Sequence, residues 1–194
     1  MVFVDRLLGQ IERNIGLPVG RIKLEVLIES ARAVIHAFEI ASASPRMAGL
    51  IFGIADYAGD TGAKELSLEQ FSVYHYPKAK IIAAARATGI DAIDNVTLQF
   101  RDLEQCRSDA GKGAQMGFDG KWAIHPDQVN VINEVFSPSP DELKRAQEIL
   151  DLYGKADRDE GRGAIVYEDE MVDAATLRVE AKKLLIAKKA GLLK

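Results

Sequence analysis

The chain has 194 residues, 47% hydrophobic and 28% charged, which excludes a disordered polypeptide and suits one well-buried domain or one domain with a small appendage. Its net charge of −4 argues against a nucleic-acid partner, which usually requires a basic surface. The single cysteine, Cys106, excludes an intrachain disulfide, and no apolar run approaches the ~20 residues that cross a membrane, so we expect a cytoplasmic protein.

Helix and strand patterns alternate through the first two thirds of the chain. Apolar residues at helical spacing predict a first helix that runs from Val4 to Ile15 and ends at Gly16. A polar, glycine-containing loop is predicted over 56–71. Around that loop the pattern predicts strand 22–28, helix 31–41, strand 48–53, helix 78–88, a strand within 90–98, helix 101–116 and strand 120–124.

The last third of the sequence is helical apart from one extended stretch. A short helix is predicted over 127–136, and Ser139 or a neighbour caps another that reaches about residue 157. A charged, glycine-rich linker over 159–163 precedes an extended segment over 164–172 and an amphipathic helix over 174–190. We therefore divide the chain into a region 1–136 and a helical extension 137–194.

Strands that alternate with helices of ten or more residues predict βαβ units and a parallel sheet. Four strands are too few to close a parallel barrel, because the smallest common one needs eight strands and about 250 residues. The pattern alone therefore leaves two architectures open, a small open sheet and part of a barrel.

Two acidic residues follow strands of this predicted sheet. Glu29 comes after the run LEVLI, and Asp56 comes after LIFGIA. Because parallel sheets place their active sites beyond the carboxyl ends of the strands, the two carboxylates could share a Mg²⁺ or Mn²⁺ ion. Each could equally be an ordinary N-cap of the helix that follows. His125 ends the fourth strand, where a base, a ligand or a packing residue all fit, and Trp122 is expected in the core.

Three long stretches carry a resemblance to a known family. The first has a strand-Glu-helix-strand-Gly-x-x-Asp order, and it is LIESARAVIHAFEIASASPRMAGLIFGIADYAGDTGA. The second contains an Ile-His-Pro-x-Gln turn, in GFDGKWAIHPDQVNVINEVFSPSPDELKRAQEIL, and the third a Met-Val-Asp sequence, in GAIVYEDEMVDAATLRVEAKKLL. In order and spacing they resemble the C-terminal portion of the HpcH/HpaI aldolase and citrate lyase β-subunit family. The motifs GKWAIHP and ASPRMAG favour its malyl-CoA (β-methylmalyl-CoA) lyase branch.

The resemblance implies a fold and a set of site residues. The fold would be α/β, the second half of a (β/α)8 barrel followed by a C-terminal helical lid segment. Glu29 and Asp56 match the family's metal ligands for Mg²⁺ (or Mn²⁺), and Asp173 matches a lid aspartate that acts in proton transfer at a neighbouring subunit's site. The remaining matches are Gly53, Ile54 and Ala55, whose backbone would hold the carboxylate of a keto acid such as glyoxylate, and Ile124, His125 and Pro126, where coenzyme A would pack.

The implied activity is that of a carbon–carbon lyase which cleaves or forms a 3-hydroxyacyl-CoA such as malyl-CoA, with glyoxylate and acetyl-CoA or propionyl-CoA as the fragments. Two alternatives stay open: a malyl-CoA thioester hydrolase, and a non-catalytic partner of a full-length homologue. Family members carry about a hundred or more further residues before this portion. We therefore expect a homo-oligomer, or a chain that requires an N-terminal half and is inactive without it.

Overall fold

The structure is a computed structural model that describes residues 2–66, 70–160 and 163–193, with side chains described for all of these except 70, 71 and 157–160. The chain divides into two compact units, Met1–Phe136 and Ser137–Lys194. Within the described ranges, no helix combines the length and the apolar character that a membrane span requires.

The first unit is a four-stranded parallel sheet with helices, in the strand order β1-β2-β3-β4. The strands are β1 (Leu24–Ile28), β2 (Met47–Phe52), β3 (Asp91–Asp94) and β4 (Gly120–Lys121). The helices are α1 (Val2–Asn14), α2 (Ala31–Ile35), α3 (Ala37–Ala41), α4 (Ile54–Asp60), α5 (Gln70–Val73), α6 (His75–Thr88), α7 (Leu103–Met116) and α8 (Pro126–Phe136).

The two faces of this sheet differ in burial. Alternate strand residues point to opposite faces, and one face packs on the helices through fully buried side chains such as Ile28, Leu50 and Phe52. The register places Leu27 beside Ile51 on the other face. Leu27 there stays 38% exposed. The described strands therefore form an open sheet with β1 and β4 as its edges, and not a closed barrel.

An ion-pair cluster attaches α1 to the start of β2. The Glu12 side chain is fully buried and accepts hydrogen bonds from both terminal nitrogens of Arg46, at 2.8 and 2.6 Å. The N–H groups of Gly20 and Ile22 donate to the same carboxylate, at 2.8 and 2.6 Å. Hydrogen bonding from Arg46, aided by these N–H groups and opposed by burial, lowers the pKa of Glu12 from 4.5 to about 2.

Three sequence predictions for the first unit are wrong in detail. The predicted loop 56–71 contains the last five residues of helix α4 and the start of α5, with residues 67–69 outside the described residues. α4 forms because Ile54 and Ala58, four residues apart, both bury against the core. The predicted helix 31–41 is two short helices that meet at His36. The fourth strand is confirmed at 120–121 only, because the chain turns away from β3 after Trp122 N–H donates to Asp94 O.

The second unit contains two helices and a hairpin. They are α9 (Pro140–Glu160), β5 (Ala164–Tyr167), β6 (Glu170–Asp173) and α10 (Ala174–Lys189). β5 and β6 are antiparallel, so the extended segment predicted over 164–172 is a hairpin, and its turn residues Glu168 and Asp169 have positive φ. The linker predicted over 159–163 starts later than expected, because α9 runs to Glu160; residues 161 and 162 lie outside the described residues.

Candidate functional site

The carboxyl ends of β1 and β2 lie side by side and bring Glu29 against Gly53. Gly53 N–H donates to the carbonyl of Ile28, the last residue of β1, at 3.0 Å. A Cβ added to Gly53 would lie 2.6 Å from Glu29 Cβ and 3.0 Å from Glu29 Oε2. The glutamate side chain therefore lies across the end of β2, in space that only a glycine leaves free.

Neither acidic residue is the N-cap of its helix, so the capping alternative does not apply to Glu29 or Asp56. Ser30 caps α2, with Oγ accepting from Ala33 N–H at 3.2 Å. Gly53 is the N-cap of α4, and the exposed Asp56 lies within that helix's first turn. Glu29 and Asp56 thus follow the carboxyl ends of two adjacent strands, and neither caps a helix.

The donor set at this rim suits a hard divalent cation. Carboxylate oxygens are the ligands that Mg²⁺ prefers, and it usually takes one or two of them and keeps its other positions for water and substrate oxygens. Among the described residues no group of three or more His, Cys, Asp or Glu side chains could hold a metal. Two carboxylates at an open rim therefore fit Mg²⁺, and they do not form the closed cage of a structural zinc site.

Backbone N–H groups begin α4 beside the two acids. Ile54, Ala55 and Asp56 follow the cap residue Gly53, so no carbonyl of an earlier helical turn accepts from their N–H groups. Gly53 has no side chain with which to cap them. These groups can donate hydrogen bonds to an anionic ligand at the position where the sequence analysis expects a keto-acid carboxylate.

The turn after β4 is held by Gln128, a residue that the sequence analysis did not single out. Its side chain is fully buried; Oε1 accepts from Ile124 N–H at 2.9 Å, and Nε2 donates to Thr97 O at 3.2 Å. His125 stays near the surface, where Asp127 N–H donates to its Nδ1 at 3.3 Å. The glutamine at the end of IHPDQ could have indicated this role, because its amide can both accept a hydrogen bond from a backbone N–H and donate one to a backbone carbonyl.

A buried charge cluster under the same rim was also missed. Asp94 is fully buried at the end of β3, 2.8 Å from Lys78 Nζ and 3.7 Å from Lys121 Nζ. Burial lowers the pKa of Lys121, although Asp94 opposes this, and its Nζ donates to Asn95 O at 2.5 Å. Lys78, Asp94 and Lys121 are all buried, so the cluster is not accessible to solvent. The hydrogen bond from Lys121 to Asn95 O holds the chain that follows β3.

Trp122 was expected in the core, but it is 40% exposed, because Lys121 takes the inward position on β4. Cys106 is fully buried, and burial raises its thiol pKa, which excludes a reactive thiolate.

Asp173 caps α10, accepting from Ala175 N–H at 2.8 Å and Thr176 N–H at 3.1 Å. The hydrogen bonds from Thr176 and Ala175 lower its pKa, so the group is a carboxylate at neutral pH.

Comparisons with known proteins identify a family and a fold that the chain resembles. The family model described as HpcH/HpaI aldolase/citrate lyase matches residues 1–126. An L-malyl-CoA/beta-methylmalyl-CoA lyase from Rhodobacter capsulatus is 40% identical over 190 residues, which cover 90% of this chain and 59% of the relative. The chain thus spans less than two thirds of the length of this curated relative.

Two solved structures share the fold. A citrate lyase from Burkholderia xenovorans LB400 superposes with a TM-score of 0.82 at 27% identity, covering 98% of this chain and 60% of that one. The protein CitE from Mycobacterium tuberculosis, in complex with magnesium, acetoacetate and coenzyme A, gives a TM-score of 0.72 at 32% identity, covering 86% and 61%.

Proposed function

Since the chain belongs to the HpcH/HpaI aldolase/citrate lyase family, we propose that it carries the metal-binding and keto-acid-binding part of a Mg²⁺-dependent carbon–carbon lyase. The substrate is a 3-hydroxyacyl-CoA such as malyl-CoA, which yields glyoxylate and acetyl-CoA. The four-stranded sheet is then the second half of a (β/α)8 barrel, and the second unit is its lid segment.

One observation supports this function above all others. Glu29 lies over Gly53 at the joined ends of β1 and β2, and Asp56 follows three residues later without a capping role. Glu29 does not cap α2, so helix capping does not explain its position at this rim. A divalent ion and an α-keto acid account for the whole arrangement, because the ion needs the carboxylates and the keto acid needs the N–H groups of residues 54–56.

Each residue then has a role. Glu29 and Asp56 hold the metal, which when bound stabilises the negative charge that develops on the keto-acid oxygen. The backbone of Gly53, Ile54 and Ala55 orients the carboxylate of the keto acid, while Ile124, His125 and Pro126 contact coenzyme A. Cleavage breaks the bond between C2 and C3 of the malyl group; the hydroxyl proton leaves, and the acetyl carbon gains a proton.

We assign proton transfer to Asp173. Asp173 is ionised at neutral pH, as a base that removes the α-proton of acetyl-CoA in the condensation direction must be. The hydrogen bonds from Thr176 and Ala175, which cap α10, lower its pKa, and the group becomes a stronger base when these bonds are released. In the cleavage direction the same group returns the proton. This assignment rests on the family resemblance at the Met-Val-Asp sequence. By that resemblance, Asp173 acts in the site of a neighbouring subunit.

Isothermal titration of the full chain with Mg²⁺ and glyoxylate tests the metal assignment, and a parallel titration uses Mn²⁺. We expect glyoxylate binding that depends on the metal and is lost in the double variant Glu29→Gln/Asp56→Asn. The matched control is Glu25→Gln/Asp91→Asn, a pair of acids on the same sheet face but at the opposite ends of the strands. Equal glyoxylate binding by the wild type and Glu29→Gln/Asp56→Asn would contradict the metal assignment.

Product analysis with malyl-CoA, in the presence of Mg²⁺, separates the lyase from a thioester hydrolase. A lyase releases glyoxylate and acetyl-CoA, whereas a hydrolase releases malate and free coenzyme A. A chain that binds glyoxylate but converts no malyl-CoA would be either a partner of a longer homologue or a chain that requires an N-terminal half for activity.

A further inference from the structure

Arg145 on α9 binds the turn of the hairpin formed by β5 and β6. Its two terminal nitrogens donate to Glu168 Oε2 at 3.0 Å and to Glu170 Oε2 at 2.5 Å, so one planar guanidinium pairs with two acids of the turn. The guanidinium carbon also lies 5.1 Å from the centroid of the Tyr167 ring. The Tyr167 hydroxyl donates to Glu148 Oε2 on α9 at 2.6 Å. We call the contacts of Arg145 with residues 167, 168 and 170 the Arg145 clamp.

The turn that the clamp holds has a costly backbone conformation. β5 ends at Tyr167 and β6 begins at Glu170, and the two residues between them, Glu168 and Asp169, have φ of 47° and 67°. Such turns favour glycine or asparagine, because a Cβ makes the left-handed conformation unfavourable. Pairing with Arg145 holds this conformation and offsets the repulsion between Glu168 and Glu170.

The contacts of the clamp reinforce one another. A single exposed ion pair contributes little to stability, because ordering two long side chains costs entropy and water screens their charges. A guanidinium that is already packed on a ring and paired with one acid loses little further freedom when it pairs with the second. The clamp therefore fixes the hairpin against α9 more firmly than one surface pair would.

The orientation of the hairpin determines the direction of Asp173. Asp173 is the last residue of β6 and pairs with Ala164 across the hairpin. Because successive side chains of a strand point to opposite faces, Asp173 shares the face of Met171, while Val172 between them is fully buried. Met171 is 71% exposed and its cross-strand partner Val166 is 74% exposed. A shift of the hairpin would redirect this exposed face together with Asp173.

We propose that Arg145 is a positioning residue for Asp173. Arg145 holds the turn of the hairpin against α9, buried Val172 holds its base, and the two attachments together set the orientation of the aspartate. That Asp173 transfers a proton rests on the proposed function. The clamp, and its effect on the orientation of Asp173, do not.

NMR spectra of the full chain, recorded without substrate or metal, test the clamp. We expect Arg145→Gln to accelerate amide hydrogen exchange in β5 and β6 about tenfold and to shift the carboxyl ¹³C signal of Asp173. Arg145→Lys should be intermediate, because an ammonium lacks the planar fork that spans two carboxylates. In the wild type, about 0.5 M NaCl should cause the same changes by screening the exposed charges, and in Arg145→Gln it should add little.

Arg178→Gln is the matched control, because Arg178 is also an exposed arginine of the second unit and lies five positions from Asp173. It should leave hairpin exchange and the Asp173 signal unchanged, and exchange in α7 of the first unit should be the same in all variants. Unchanged hairpin exchange or an unchanged Asp173 signal in Arg145→Gln, or equal changes in Arg178→Gln, would overturn the proposal.

Rates of malyl-CoA cleavage test whether Arg145 acts through Asp173. Arg145→Gln should lower kcat about tenfold with little change in KM, and it should have no further effect in a chain that carries Asp173→Asn. Independent, additive losses in the double variant would contradict a positioning role. If the chain converts no malyl-CoA, that result concerns the proposed function, and the spectra still decide whether Arg145 orients Asp173.

Discussion

Gly53 shows how one missing side chain can define a site. Its hypothetical Cβ would lie 2.6 Å from Glu29 Cβ, closer than real Cβ contacts allow. We predict that Gly53→Ala displaces Glu29, weakens magnesium-dependent glyoxylate binding more than about tenfold and destabilises the fold by about 1–3 kcal/mol. Titration calorimetry and chemical denaturation measure the two effects.

Gly59→Ala is the matched control, because it lies in the same helix, α4, with no atom within 4 Å of an added Cβ. It should leave ligand binding intact and stabilise the fold by about 0.5–1 kcal/mol, since alanine costs less backbone entropy in a helix. If Gly53→Ala and Gly59→Ala change ligand binding and stability equally, crowding of Glu29 does not cause the effects of Gly53→Ala.

Glu12 determines how the first unit responds to acid. Its folded-state pKa of about 2 is below the ordinary 4.5. The stabilisation is therefore fully present above pH 4.5 and is lost as the pH falls toward about 2. We predict that Glu12→Gln lowers the Tm at pH 7 by roughly 5–10 °C, because Arg46 then stays buried without a countercharge.

The difference in Tm between wild type and Glu12→Gln should shrink between pH 4.5 and 2, as measured by circular dichroism. Glu39→Gln is the control, because Glu39 is exposed on α3 and loss of its solvent-screened ion pair with His36 should change the Tm little. A constant difference across this range would contradict the assigned pKa.

At the scale of elements, α9 begins with a reciprocal cap. Ser139 Oγ accepts from Glu142 N–H at 3.2 Å, and Ser139 N–H donates to Glu142 Oε2 at 2.9 Å, with Pro140 as the first helical residue. We predict that Ser139→Ala weakens the start of α9 by about 1 kcal/mol. Amide hydrogen exchange at Glu142 should accelerate about fivefold, and Ser139→Asp should restore protection. Unchanged exchange in Ser139→Ala would show that the cap contributes nothing.

For the whole molecule, the sheet face that carries Leu27 and Ile51, opposite the buried face, determines whether the chain is expected to associate. Leu27 is 38% exposed on that face, and edges β1 and β4 have unpaired backbone groups on their outer sides in the described sheet. We predict that the purified chain binds a hydrophobic dye or self-associates, and that Leu27→Lys reduces both.

Size-exclusion chromatography and dye fluorescence measure this outcome. Val179→Lys is the control, because Val179 is also exposed but lies on α10 in the second unit. A monomer that binds no dye would mean that the open face needs no partner, neither a second copy nor an N-terminal half.

The sequence by itself determined the parallel α/β order, the division near residue 136 and the family, because periodicity, strand-end acids and long motifs are local properties of the chain. Helix ends were also local: Gly89 and Gly117 close α6 and α7 in the left-handed conformation. The matched roles of Glu29 and Asp56 stay predictions that the titration with Mg²⁺ and glyoxylate addresses, and the matched role of Asp173 also stays a prediction.

Only the tertiary structure decided the rest. It made α4 a helix, through burial of Ile54 and Ala58, where polarity had indicated a loop. It also exposed Trp122, and it brought Phe100 to His125 across 25 positions of sequence. Burial and long-range contact depend on how strands and helices pack, and a pattern along one segment contains no information about the neighbour that will cover it.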